Sequence, residues 1–256
     1  MKWSTITRDE RSRTPSRKAH SLNVERFLQP DDVTCGPTCL RKVYSFFGLP
    51  DTVEEITGAL ERNEDGGTLA VYLGMVALRR GLNARIYSYD LRIFDPTWYS
   101  FENTELQAKI LARYPHLRDE KRKRAATAYV SFLGMGGELR FDELRHTLLK
   151  SIIDRGHPVL AGLSATYLYQ QARERWDDAE HKHVDDDVAG EPTGHFVVIS
   201  GYENWGRRVT VVDPFEQAPV KANGLIQVET DRLINAILLG DVTYDAVLLE
   251  VWPNEQ

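Results

Sequence analysis

The order of the apolar patterns constrains this fold more than any other feature of the sequence. Helical spacing fills the first half, and short, nearly continuous apolar runs fill the last third. Over 35–47 the apolar residues Leu40, Val43, Tyr44 and Phe47 recur at intervals of three and four, which predicts a helix stopped by Gly48 and Pro50. Asp51 and Glu54 predict the N-cap and capping-box partner of a second helix over 52–62. A third is expected over 68–80, closed by Gly81, and a strand over 85–89. Helical patterns over 104–113, 119–133 and 141–154 form an elaboration at about 90–155. Strand runs follow at 158–163, 195–202, 208–212 and 246–251, with a helix over 233–239. Helices in one block and strands in another specify α+β rather than alternating α/β.

Composition narrows the function classes. The chain has 256 residues, 42% hydrophobic and 27% charged, which is enough to bury a core and excludes a wholly disordered chain. No apolar run approaches the roughly 18–20 residues of a membrane helix, and the first 20 residues lack the apolar segment of a secretory signal, so no membrane partner is expected. A net charge of −6 argues against a nucleic-acid-binding surface. Residues 1–20 carry six Lys/Arg against two Asp/Glu and read as a flexible basic arm before a single domain over 21–256. Cys35 and Cys39 cannot build a disulfide framework, which makes a reducing cytoplasm the expected location.

The segment QPDDVTCGPTCL places Cys35 where a Pro/Gly-rich loop becomes an apolar helix. Unsatisfied N–H groups and the positive end of the helix dipole favour thiolate over thiol there, as a sulfur nucleophile requires. Gly36, lacking a Cβ, leaves room for substrate to approach the backbone. Gln29, six residues upstream, offers an uncharged amide to an oxyanion, beside the Cys35 N–H. In TGHFVVISGY, Gly194 and His195 open a strand, a firm mount for a general base. In VTVVDPF, Asp213 ends the next strand, within reach of the His195 ring. Each residue alone has an ordinary structural reading; together they make a nucleophile, base and orienter, each at the end of an element.

These blocks resemble the signature of the papain-like cysteine peptidases of the C39-like family: Gln29 and Cys35-Gly-x-x-Cys39-Leu, then Gly194-His195-Phe-Val-Val, then Asp213-Pro. The resemblance implies a papain-like α+β fold, with the nucleophile's helix packed on a C-terminal antiparallel sheet. It implies Cys35 as nucleophile, His195 as base and acid, Asp213 as orienter and Gln29 in the oxyanion hole, acting on a peptide or isopeptide amide without a cofactor. Further stretches (GGTLAVYLG, GHPVLAGLSATYLY, DRLINAILLG) resemble a soluble bacterial subgroup found beside ATP-grasp ligases, which suggests the amide product of such a ligase as substrate. Two features depart from the pattern. Thr34 precedes the nucleophile where many relatives have Asp, and Cys35 and His195 are 160 residues apart, longer than in bacteriocin-processing members. The same residues would also serve an acyl or aminoacyl transferase, or persist in a non-catalytic peptide-binding module.

Other features read more plainly. Tyr167, with Tyr169, Trp98 and Tyr99, is a candidate lining for a substrate groove. The stretch HKHVDDD over 181–187 mixes metal-ligand types, yet reads as a solvated loop placed as a flap before His195, and no metal is expected. The glycines at 134, 136 and 137 lack the preceding strand and following Lys of a phosphate loop and read as a helix stop.

Overall fold

The apolar runs of the second half pair into one sheet, and the helices pack on its two faces. The structure is a computed structural model that describes residues 18–60, 68–179, 181–216, 225–240 and 246–254; most of the basic arm lies outside them. In chain order the elements are β1 (His20–Ser21), α1 (Cys35–Phe46), α2 (Val53–Gly58), α3 (Ala70–Arg79), β2 (Asn83–Ser88), α4 (Asn103–Arg113), α5 (Glu120–Gly134), β3 (Glu138–Arg140), α6 (His146–Asp154), β4 (Val159–Ser164), α7 (Ala165–Tyr169), β5 (Glu174–Asp177), β6 (Lys182–Asp185), β7 (Gly194–Glu203), β8 (Arg208–Val212), β9 (Leu225–Glu229), α8 (Thr230–Leu238) and β10 (Val247–Trp252). The sheet runs β3-β2-β10-β4-β7-β8-β9, with β1 against the far end of β7. Every pairing is antiparallel except β2 with β3.

Side chains alternate across this sheet into two cores. Leu160, Phe196, Val198, Leu249 and Val251 pack with Leu40, Leu73, Ile110 and Phe132 of α1, α3, α4 and α5. Their neighbours Ala161, Leu163, Val197, Ile199 and Leu248 pack with Ile152, Leu168 and Leu233 of α6, α7 and α8. Burial on both faces is why these strands read as continuous apolar runs instead of alternating ones.

The structure corrects several boundaries. The α2 cap is Thr52, whose side chain accepts from Glu55 N–H (3.2 Å) while the Glu55 carboxylate accepts from Thr52 N–H (2.8 Å). Asp51, one residue earlier, accepts instead from Arg80 Nε (2.9 Å). The expected helix over 141–154 starts only at His146. The loop over 181–187 is partly strand: β6 pairs with β5 in a separate two-stranded sheet. Strands β3 and β9 were not legible as apolar runs; β3 has three residues.

The pairing of β7 with β8 slips by one residue between Ile199 and Gly201, a bulge that leaves Ser200 opposite nothing in β8. The Ser200 carbonyl accepts from Leu22 N–H (2.7 Å), just beyond β1. A Cβ on Gly201 would lie 2.8 Å from the His20 carbonyl oxygen, so β1 seats closely only over a glycine. Among the described residues no helix is long and apolar enough to cross a membrane.

Candidate active site

Helix α1 begins at Cys35 and ends at a turn where Gly48 adopts φ +76°. Its N-cap, Thr34, makes no side-chain cap bond; the hydroxyl turns to the Asp31 carbonyl (3.4 Å). No capping side chain therefore covers the first-turn N–H groups beside Cys35, and Pro37 has none to offer. One turn on, the buried Cys39 thiol donates to the Phe196 carbonyl (3.2 Å). This contact ties the helix of Cys35 to the strand of His195, one residue from the imidazole.

His195 occupies the second position of β7, across from Leu163 in β4, so its backbone is fixed by the sheet. Its Nε2 lies 3.0 Å from Asp213 Oδ1. An ionised carboxylate only accepts, so Nε2 carries a proton, which leaves Nδ1 as the ring nitrogen not engaged by Asp213. Asp213 follows the last residue of β8 and is completely buried. It accepts from His195, from Phe215 N–H (2.7 Å) on Oδ1, and from the Tyr169 hydroxyl on Oδ2. The Phe215 ring stands edge-on to the imidazole, centroids 6.4 Å apart.

The charges follow from this geometry. Burial works against the imidazolium, but the charge and hydrogen bond of Asp213, with Cys35, overcome it and push the His195 pKa from 6.5 up to about 10. Burial likewise opposes the Asp213 carboxylate, yet His195, Tyr169 and the Phe215 N–H hold its pKa below the usual range. Burial, then the adjacent Asp213 charge, pushes the Tyr169 phenol far up, so it remains a donor. Burial, with the charges of Cys35 and Asp213 and against that of Lys42, pushes the Cys39 thiol's pKa far up, so it keeps its proton.

The segment before α1 is sewn to the segment after β8. Arg26 donates to the backbone carbonyls of Asp213 (3.4 Å) and Phe215 (3.2 Å), and Gln29 N–H donates to the Pro214 carbonyl (2.9 Å). Gln29 thereby stands beside the Asp213 loop, with one Nε2 hydrogen committed to the Asp31 carbonyl (2.8 Å). Gly36 is buried: a Cβ there would lie 2.6 Å from Thr68 Cγ2, so the missing side chain lets α1 seat against Thr68. Gly194 is exposed at the start of β7.

Tyr167 is exposed on α7, and it is Tyr169, two residues on, that reaches Asp213. That partner was missed in the sequence, where both tyrosines read as groove lining. Helix α7 arrives there because Ser164 caps it and Ala165 N–H bonds the Thr193 carbonyl (2.9 Å), next to the start of β7. His183 packs edge-on against Trp176, and among the described residues no group of three or more His, Cys, Asp or Glu side chains is gathered to hold a metal.

Comparison with known proteins follows this geometry. The model of the Peptidase_C39 like family matches residues 21–226. Solved structures similar to the chain include a candidate C39-like peptidase from Bacillus anthracis (12% identity, 94% of this chain and 100% of that one, TM-score 0.48). They also include a double glycine motif protease from an AMS/PCAT transporter, in complex with the leader peptide (14%, 92% and 95%, TM-score 0.42). A third is xylellain, a cysteine protease from Xylella fastidiosa (10%, 93% and 87%, TM-score 0.44). No curated protein matches. With a family match spanning most of its length, the chain belongs to the Peptidase_C39 like family and is a cysteine peptidase.

Proposed function

We propose that this peptidase opens a peptide or isopeptide amide through a Cys35–His195–Asp213 triad and a covalent acyl-enzyme. The observation that carries this reading is the 3.0 Å bond from His195 Nε2 to the fully buried Asp213 carboxylate. The Cys35 thiolate adds to the carbonyl, and the oxyanion develops beside the uncapped start of α1, where the Cys35 N–H and a Gln29 amide hydrogen are the donors. His195 passes its proton to the leaving amine as the C–N bond breaks, leaving a thioester on Cys35. It then takes a proton from the water that attacks the thioester and returns it to the departing sulfur. Asp213 holds the ring's orientation throughout. Gly194, exposed next to His195, and Tyr167, exposed on the helix whose Tyr169 reaches Asp213, are the substrate-facing positions of this reading. The resemblance to proteins found beside ATP-grasp ligases supports amides made by such ligases as the first substrates to try, and a reducing cytoplasm suits the free thiols.

Iodoacetamide at neutral pH, read by peptide mass spectrometry, tests the nucleophile without a known substrate. Cys35 should label rapidly, Cys39 should remain unlabelled, and His195→Ala should slow Cys35. Equal labelling of both thiols, or indifference to His195→Ala, would count against the triad. Once a substrate is found by peptide profiling, Cys35→Ala should lower kcat/KM by more than about a thousandfold with the fold intact. Product analysis with and without an added amine separates hydrolysis from acyl transfer.

A further inference from the structure

The buried side of α1 carries a charged residue that the chemistry above leaves unused. Lys42 follows Cys35 by seven residues and Cys39 by three, so the three side chains share one side of the helix. Lys42 is fully buried, and its Nζ has no hydrogen-bond partner among the described residues. An ammonium has three donors, and a sealed one with none engaged is among the least favourable groups a core can hold. A methionine would fill the same space without that penalty. Stability alone therefore gives no reason for a lysine here, whereas perturbed titratable groups gather at functional sites.

The charged groups facing Lys42 belong to the site. Cys39 and Cys35 come from α1 itself, Asp213 from the end of β8, and Arg26 from the segment before α1. Burial pushes the Lys42 amine's pKa down; Cys39, Asp213 and Cys35 draw it back up, and Arg26 opposes them. Cys39 keeps its proton, so the anions that Lys42 meets are the Asp213 carboxylate and the Cys35 thiolate. Asp213 thus touches the imidazolium and also lies within electrostatic reach of the Lys42 amine.

Resting on the reading of Cys35 as nucleophile, we propose that Lys42 is a positioning residue of this peptidase, a sealed cation that holds Cys35 and Asp213 in their ionised forms and extends the working range toward acid pH. Lys42 makes and breaks no bond. Two turns of helix, about 10 Å, separate it from Cys35, and salt screens the field of a buried cation much less than that of a surface one.

The test is Lys42→Met in the full chain, with iodoacetamide as the probe and the rate of Cys35 alkylation followed against pH. The curve should move up by about one pH unit, making labelling at about pH 5.5 some tenfold slower, while Tm stays at or above that of the parent. Lys42→Arg, where it folds, should keep the parent curve. A Lys42→Met curve that superimposes on the parent's overturns the proposal. If Lys42→Met does not fold, isotope-labelled lysine in the parent protein gives the answer. The titration of the Lys42 amine should move down once iodoacetamide has removed the Cys35 charge, and an unmoved titration overturns the proposal. The two readings fail separately. An inactive Cys35→Ala with an undisplaced Lys42→Met curve refutes Lys42 alone, whereas an active Cys35→Ala refutes the nucleophile and the proposal with it.

Discussion

Asp213 is the residue on which the pH behaviour turns. It supplies the charge and hydrogen bond that raise His195 to about 10 against the effect of burial. A group raised in the folded state adds stability that is complete below its ordinary pKa, here 6.5, and is lost as pH rises through about 10. Asp213→Asn removes the charge but keeps the shape. We expect the basic limb of kcat/KM to move from about 10 toward neutrality, with activity falling by about 10² to 10⁴. An NMR titration of the imidazole in both proteins checks this, and an unmoved ring would separate Asp213 from the chemistry. The pairing of His195 with Asp213 (3.0 Å) was legible in the sequence because each stands at the end of an element, as Cys35 does at the start of α1. Tyr169 was not: its bond to Asp213 spans 44 residues, and which of two tyrosines on a five-residue helix turns inward is decided by packing.

At the scale of elements, the strong helical and strand periods were legible and the choices between near-equals were not. Asp51 and Thr52 are both good caps. The tie is broken by Arg80, 29 residues away, which engages Asp51. The hairpin of β5 and β6 was hidden because its residues are mostly charged and its pairing is local. An isolated bridge between Glu174 and Glu191 joins it to the loop before His195, and Gly190 packs so closely there that a Cβ would lie 2.4 Å from the Asp186 carbonyl oxygen. Trp176 stands half-exposed on it. Replacing residues 176–183 by Asn-Gly, to join the paired Arg175 and Val184, keeps the base of the hairpin and the Arg175–Asp186 bond (2.9 Å). Tm should fall by less than about 3 °C, since little buried surface is lost, while KM values across a peptide panel should change. Unaltered kinetics would remove the hairpin from substrate recognition.

Across the whole molecule, the sheet order was the least legible feature, because β10 slots between β2 and β4 through pairs far apart in the chain, such as Leu249↔Ile86 and Leu249↔Leu160. The apolar run that becomes β10 also contains Glu250, fully buried. Its carboxylate binds Arg155 (2.8 Å), His157 Nδ1 (2.7 Å), Tyr87 (3.1 Å) and Arg85 (3.3 Å), uniting strands β2 and β10 and the turn after α6. Burial opposes this charge, but His157 and the two arginines hold its pKa down to about 2. Its stabilisation is therefore complete above about 4.5 and lost as pH falls toward 2. Glu250→Gln leaves the arginines facing a neutral amide and should cost about 3–5 kcal/mol in chemical denaturation at neutral pH; a loss near zero would show that the cluster relaxes to solvent.

The bulge at Ser200 divides β7 into two lengths that answer to different partners. Residues 194–199 carry the imidazole and pair with β4, while 201–202 lie between β8 and β1. A residue with no partner in β8 between them works as an expansion joint. A change in how β1 seats is thereby taken up at the bulge before it reaches the pairing with β4 that sets His195 against Asp213.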